Sequence, residues 1–204
     1  MPERTLTFPG PVSPGHTLAP HRRGPGDPCF QIDADGAIWR TSLQSTGPVS
    51  ARIARTAPDT VLCRAWGDGA EEFLANLPAL LGADDDGAGF TPSHPTLELA
   101  QRRVPHLRLG RTGRVLEALI PAVLEQRVQG IEAFRSWRLL VTRYGDPAPG
   151  PAPARMRVPP SARAWRAIPS WEFHRGGVDP GRMRTIAGVA ARADALERLS
   201  TAEP

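Results

Sequence analysis

The stretch Leu116-Glu-Ala-Leu-Ile-Pro-Ala-Val-Leu-Glu-Gln-Arg-Val128 decides how the rest of this chain is read. From Arg114 to Arg127 it predicts one helix, apolar on most sides, with a narrow polar stripe at Arg114, Glu117, Pro121 and Glu125. A helix of that kind belongs inside a core, covered on nearly every face. Pro121 deletes one backbone hydrogen bond and is expected to kink it, at a cost of about 3 kcal/mol unless packing compensates. Glu117 and Glu125 share one face and are expected to be solvated. Gln129-Gly130 breaks the helix. Beyond the break, Ile131, Phe134, Trp137, Val141 and Tyr144 recur at helical spacing until Gly145 ends the run, with Arg135, Arg138 and Arg143 on other faces. The two helices therefore meet at a turn, with Gln126 and Arg127 at its corner.

Outward from that corner the chain divides. Residues 146–160 hold six Pro in fifteen positions, the composition of a stiff, extended connector. A short helix around Ala162–Ala167 leads to Trp171-Glu-Phe-His174, where Trp171 is expected in the core and Glu172 in solvent. Asp179-Pro180 is a strong start signal for a last helix, a cap followed by Pro at the first position. Its apolar stripe is Met183, Ile186, Val189 or Ala190, Ala193 and Leu196, and Arg182, Arg184 and Arg192 make it basic. Upstream, Thr96 to Val104 predicts a short helix. Before it, Asp84-Asp85-Asp86 forms an acidic loop whose spacing does not fit an EF-hand. Residues 28–90 read as a small antiparallel sheet with one packed helix. Strands are expected at Cys29–Ile32, Ala37–Thr41, Val49–Ile53 and Thr60–Trp66, with a tight turn at Asp35-Gly36. The helix should run from Gly69 to Leu81, capped by Asp68 and ended by Gly82, with Phe73, Leu74, Leu77, Leu80 and Leu81 inward. Residues 1–27, rich in Pro and Gly with a basic cluster at His21-Arg22-Arg23, are expected to be irregular. The fold class is α+β: the antiparallel sheet domain at 28–90, then an incomplete all-α bundle over 91–204.

Composition sets further bounds. The chain has 204 residues, 40% of them hydrophobic, enough for one sizeable domain or two small ones. No apolar run approaches the ~18 residues of a membrane span, and the first residues lack the basic end and apolar stretch of a signal peptide. A monomer in the bacterial cytoplasm or nucleoid is the expectation. Cys29 and Cys63 are too few for a disulfide framework and are read as buried or half-buried thiols of a reducing compartment. His94, His106 and His174 have no metal-ligand spacing and are expected at the surface or at helix caps. No nucleophile–base pair, Walker loop or dinucleotide fingerprint is present, so neither metal nor cofactor is expected. All 25 basic residues are Arg, a coding bias rather than a functional choice. Their distribution is uneven: residues 1–100 carry 7 Arg against 12 acidic residues, a net of −5, and residues 101–204 carry 18 against 9, a net of +9. Such asymmetry points either to a polyanion on the second half or to a basic surface that merely keeps the protein soluble.

Pro105-His-Leu-Arg-Leu109, the Leu116–Val128 stretch and Tyr144-Gly145 together resemble the DNA-3-methyladenine glycosylase II branch of the helix-hairpin-helix DNA glycosylase superfamily. In that family an apolar helix of the form "ALVRAIL" runs into "GQQVS", a turn, and an amphipathic helix ending in Tyr-Gly. Trp171 to Ala193 is similar to the family's next helix pair, and the β-rich front to the sheet domain these enzymes carry first. The resemblance covers nearly the whole chain, most specifically from Pro105 to Gly145. Departures are Glu125 in place of the family's Gly, Gln129 in place of the Ser or Thr that caps the next helix, and Arg127 where an apolar wedge or second Gln is common. A Leu-Pro-Gly-Ile-Gly-type hairpin and the catalytic Asp beyond it do not occur in the sequence, so the chain resembles the front portion of such an enzyme.

The resemblance implies base-excision repair of duplex DNA carrying alkylated bases. Such an enzyme rotates its target nucleotide out of the stack, fills the gap with a side chain and grips the bent DNA by its phosphates. Gln126 and Arg127 occupy the inserting position; the alternative is a solvated helix end with Gln126 bonding nearby backbone. Gln129 and Gly130, at the start of the following helix, are candidate phosphate contacts through exposed N–H groups. Arg111 and Arg114 are candidates too, or else ordinary surface residues. No catalytic residue is expected within 1–204. The competing readings are a non-catalytic duplex-binding module and an α+β protein with no nucleic-acid role.

Overall fold

The computed structural model describes residues 1–87 and 89–201. Five strands form one antiparallel sheet: β1 (Glu3–Thr7), β2 (Phe30–Ile32), β3 (Ile38–Gln44), β4 (Gly47–Ala57) and β5 (Thr60–Trp66), in the order β1-β5-β4-β3-β2. The expected meander from β2 to β5 is present. The first 27 residues, however, are not irregular. Glu3 to Thr7 pairs along β5 from Glu3↔Arg64 to Thr7↔Thr60, and Pro14–Leu18 forms a one-turn helix, α1. A five-residue strand with one half-buried apolar residue, Leu6, carries little periodic signal of its own. What selects it is the open edge of β5, far along the chain, whose unpaired backbone groups need partners.

One face of the sheet packs on α2 (Ala70–Leu80). Val49, Ala51 and Ile53 alternate inward from β4, Val61, Cys63 and Ala65 from β5, and they meet Phe73, Leu74, Leu77, Leu80 and Leu81. Phe8, Val12 and Leu18 close the end of this core. The cap of α2 is Gly69 and not Asp68: Gly69 N–H is drawn to Pro48 O at 3.1 Å, and no side chain caps the helix.

Residues 95–103 form α3 (Pro95–Arg103), capped by His94, whose Nδ1 accepts from Thr96 N–H at 3.2 Å. α4 (Val115–Leu124) and α5 (Gly130–Tyr144) follow. The Pro-rich connector is not simply extended. It folds back as a two-stranded ribbon, β6 (Asp146–Pro147) with β7 (Arg157–Val158), laid on the sheet. Ser50 Oγ donates to Pro149 O and Thr41 Oγ1 to Arg157 O, both at 2.6 Å. Gly150, at a φ of 68°, lies so close to Trp66 that any side chain would collide with the indole. The chain ends in α6 (Ala162–Ala167), α7 (Ser170–Arg175), α8 (Pro180–Ala191) and α9 (Ala193–Arg198). Asp179 caps α8 as expected, accepting from Gly181 and Arg182 N–H, but the single last helix is broken in two at Arg192.

The helices enclose a second core: Leu116, Ile120, Val123 and Leu124 of α4, Trp137, Leu140 and Val141 of α5, then Trp165, Ile168, Phe173, Val178, Ile186, Ala190 and Ala193. Trp137 and Trp165 stack with ring centroids 6.3 Å apart. The exposed face of α4 is Ala118 and Ala122, whereas Pro121 is buried. The inner face of α5 is likewise rotated from the expected stripe. Ile131 is 75% exposed, and Ser136 is buried because its Oγ donates to Gly176 O at 2.5 Å. α4 starts without a cap of its own; Glu197 of α9 accepts from Val115 and Leu116 N–H at 2.9 and 3.0 Å. A carboxylate there satisfies two orphan donors and faces the positive end of the helix dipole. Among the described residues no helix is long and apolar enough to cross a membrane.

Candidate nucleic-acid interface

The corner between α4 and α5 is largely exposed: Gln126, Arg127, Gln129 and Gly130 all face solvent, and Val128 between them is half-buried. Glu125 and Gln126 N–H close the last turn of α4 on Pro121 O and Val123 O. Arg127 then takes a φ of 57°, the one left-handed non-glycine residue among the described residues. An L-residue pays about 1–2 kcal/mol for that conformation, and such outliers persist only where their surroundings hold them. Gln129 stands before α5 in extended conformation and its side chain caps nothing. Glu132 and Ala133 N–H both bond back to Gln129 O, so the N–H groups of Gly130 and Ile131 precede the first helical bond.

Two arginines from distant sequence hold the corner from behind. Arg182 was expected to contribute to a basic helix face; instead it is buried. Its Nη1 donates to Leu124 O at 2.7 Å, its Nη2 to Gly177 O at 2.9 Å, and its Nε to Asp179 at 2.5 Å. It thus caps the C-terminal end of α4, where a cation is favoured by the helix dipole. Arg23 reaches Glu125 with Nε 3.2 Å from Oε1, an ion-pair approach without hydrogen-bond alignment. That contact neutralises the carboxylate standing at the lip of the corner.

Arg111 and Arg114 are placed differently. Arg111 lies 2.5 Å from Asp84. Arg114 is largely covered and approaches Glu197 at 3.8 Å, beside the contact that starts α4. Neither stands at the corner with an unengaged charge.

Glu117 is the largest correction to the sequence reading. It is not solvated. Its Oε1 accepts from Ser42 Oγ at 2.7 Å and Leu43 N–H at 2.6 Å, and Oε2 lies 3.7 Å from buried Arg40. β2 pairs with β3 as far as Arg40, and Thr41 N–H still reaches Cys29 O at 3.0 Å; beyond that Glu117 occupies the edge of β3 at Ser42 and Leu43. Burial raises the carboxyl's pKa against the opposing pull of Arg40 and these donors, and burial lowers that of Arg40. Alongside lies a cavity of about 30 Å³ lined by His21, Arg23, Cys29, Arg40, Glu117 and Trp137 among others. Asp27 ties it to the helices, accepting from Cys29 N–H at 2.9 Å and Trp137 Nε1 at 3.0 Å. Burial, with Arg40 and Arg23 adding to it, lowers the His21 imidazole to about 4, so this member of the basic cluster is neutral at pH 7. Burial also raises Cys29 well above its usual value, which leaves an inert thiol. Both cysteines are buried and unbridged. The seam joins sheet to helices and offers no activated nucleophile.

Trp171 and Glu172 are exchanged relative to expectation. Trp171 is 67% exposed and Glu172 is buried, with Arg143 Nη1 at 3.2 Å and Arg175 Nη1 at 3.8 Å. His94 is exposed and caps α3, and His106 and His174 are exposed, as the sequence suggested. Among the described residues no group of three or more His, Cys, Asp or Glu is arranged to hold a metal. The contributions of Arg182, Arg23 and Glu197 were not found from sequence. Their only local signal is an Arg or Glu in a helical or Gly-rich setting, which ordinary surfaces share.

No protein-family model matches the sequence, and no curated protein matches it as a relative. Solved structures match its fold. A 3-methyladenine DNA-glycosylase from Archaeoglobus fulgidus superposes with a TM-score of 0.80 at 15% identity, over 95% of this chain and 68% of that one. MBOgg1 in complex with a low affinity DNA ligand gives 0.70 at 13% identity, over 95% and 63%. The apo form of 8-oxoguanine glycosylase/lyase from Clostridium acetobutylicum gives 0.71 at 9% identity, over 98% and 67%. The chain therefore has the α+β fold of DNA glycosylases and spans about two thirds of the length of those it matches.

Proposed function

We propose that this chain is the duplex-gripping portion of a DNA N-glycosylase of base-excision repair, acting on alkylated purines of the 3-methyladenine type. The observation that carries the reading is the corner Gln126–Gly130: exposed, rigidly backed by Arg182 and Arg23, and presenting Arg127 in a left-handed conformation. In this reading Arg127 enters the duplex or meets its phosphates, with Gln126 beside it, while Gln129 and Gly130 offer α5 backbone donors to a phosphate. Arg111 and Arg114 contribute long-range charge at most. Among the described residues no carboxylate is proposed as the catalytic group. The buried carboxylates Asp27, Glu117 and Glu172 are each engaged within the fold and none stands at the corner. No cofactor is called for, and the protein acts as a monomer in the bacterial cytoplasm.

The test is equilibrium binding of a fluorescent duplex over a salt series. Affinity should fall steeply and linearly in log–log form, as counterion release requires. Binding that ignores salt, or no binding, would overturn the proposal. Purified 1–204 should release no 3-methyladenine from alkylated DNA, and release would show that the chain carries its own catalytic group. The closed helical core, with Trp165 and Ile186 fully buried, favours one variant of the reading, a duplex-binding module that works without catalysis. A single cooperative unfolding transition is its expected signature.

A further inference from the structure

Four of the five tryptophans have structural duties. Trp39 stacks on Trp66 at 5.3 Å and Trp137 on Trp165, and Trp39 and Trp137 also donate their indole N–H to Asp33 and Asp27. Trp171 is the exception, with two thirds of its surface in water. Its sequence neighbour Glu172 is 3% exposed in its side chain, and two cations close over that carboxylate: Arg143 from the end of α5 and Arg175 one turn along α7. Their side chains remain 51% and 60% exposed. Each guanidinium carries five donors in a plane, so engaging one carboxylate leaves donors for an anion outside. Trp171 and Arg175 are four residues apart on one helix and share a face. α7 is itself fixed to α5 by the Ser136 bond to Gly176 O. One buried anion thus holds two half-exposed cations in place beside an exposed indole.

An exposed indole whose neighbour in the chain, Glu172, gathers two half-exposed guanidinium groups fits a base with its adjacent phosphates. A duplex hides its base faces, so the match is to an unpaired nucleotide. A lipid surface fits poorly, since the neighbours of Trp171 on α7 that reach solvent are Ser170, His174 and Arg175. An acidic peptide would satisfy the cations and leave the indole unused. We infer that Trp171, with Arg143 and Arg175, is a stacking platform for an unpaired base of single-stranded nucleic acid. It lies at the far end of α5 from the corner and extends the proposed duplex grip to single-stranded tails. Arg143 stands 13 residues along α5 from Gly130, an offset of about 20 Å along the helix axis at 1.5 Å per residue.

The experiment measures binding of a labelled oligothymidylate and of a blunt duplex to the full 204-residue chain and its variants. Trp171→Ala should weaken oligothymidylate binding about tenfold, in the range of one base–aromatic stack. It should leave blunt-duplex binding and the melting temperature unchanged. Trp171→Tyr should recover most of the loss because any aromatic face stacks. Arg175→Gln should lower the oligothymidylate salt slope by about 0.7, one single-strand phosphate contact. Oligothymidylate affinity unaffected by Trp171→Ala, or equally poor with Tyr, overturns the inference, as does Trp171-dependent capture of a poly-glutamate peptide in place of the oligonucleotide. The duplex arm reports separately on the corner, so either site can fail while the other stands.

Discussion

Replacing Arg127 by Gly separates the stability of the corner from its use. At a φ of 57° an arginine is strained by about 1–2 kcal/mol that glycine does not feel. Glycine in turn loses more chain entropy on folding, about 0.5–1 kcal/mol. The net expectation is a change between zero and about 1.5 kcal/mol in favour of the variant. For a chain of this size that is a melting temperature raised by roughly 0–6 °C. Binding should move the other way. Removing one cation that meets a phosphate lowers the slope of log K against log salt by about 0.9, and affinity for blunt duplex should fall about tenfold at low salt, the loss of roughly one charged contact. Arg127→Val is the control: a β-branched residue is a poor occupant of the left-handed region and should lower both stability and binding. Thermal melting and fluorescence anisotropy on the same preparations read both quantities. An Arg127→Gly variant that binds duplex with unchanged slope would remove Arg127 from the interface. One that melts well below the parent would show that the arginine is held by packing and not against strain.

Other consequences follow from the buried charges. Glu117→Gln keeps the acceptor shape but leaves Arg40 buried without its counter-ion, and urea unfolding should show a loss of about 3 kcal/mol; a loss under 1 kcal/mol would show that Asp27 alone compensates Arg40. Arg182→Gln abandons the carbonyls of Leu124 and Gly177 and should cost about 2–4 kcal/mol. It should also accelerate amide exchange at Gln126–Gly130, and unchanged exchange there would separate Arg182 from the corner. His21 sets a pH dependence. Its pKa falls from 6.5 to about 4 on folding, so between those values the unfolded chain binds a proton that the native one does not. Stability should be full above pH 6.5 and decline as pH falls toward 4, by at most about 3 kcal/mol and by less to the extent that water reaches the ring. His21→Gln should flatten that window in unfolding curves taken at pH 7 and pH 4.5; an unaltered decline would assign it to another group.

The sequence determined what repeats locally. Alternation at Val49, Ala51 and Ile53 marked a strand, Phe73 to Leu81 gave the inner face of α2, and Asp179-Pro180 and Gly145 set helix ends, because caps and periodicity act within a few residues of themselves. It also placed a turn at Gln126–Arg127, before the break at Gln129-Gly130 between two apolar stripes; the structure extends that turn from the end of α4 at Leu124 to Gly130. What it left undecided was the partner of every polar group inside those patterns. Glu117 and Glu172 look like surface carboxylates until Arg40 and Arg143 are brought against them, Arg182 like a surface cation until the carbonyl of Leu124 meets it, and Glu3–Thr7 like a loop until the edge of β5 lies alongside. A charge enters a core only when its counter-charge is in place, and the burial that drives this is a property of the assembled tertiary structure.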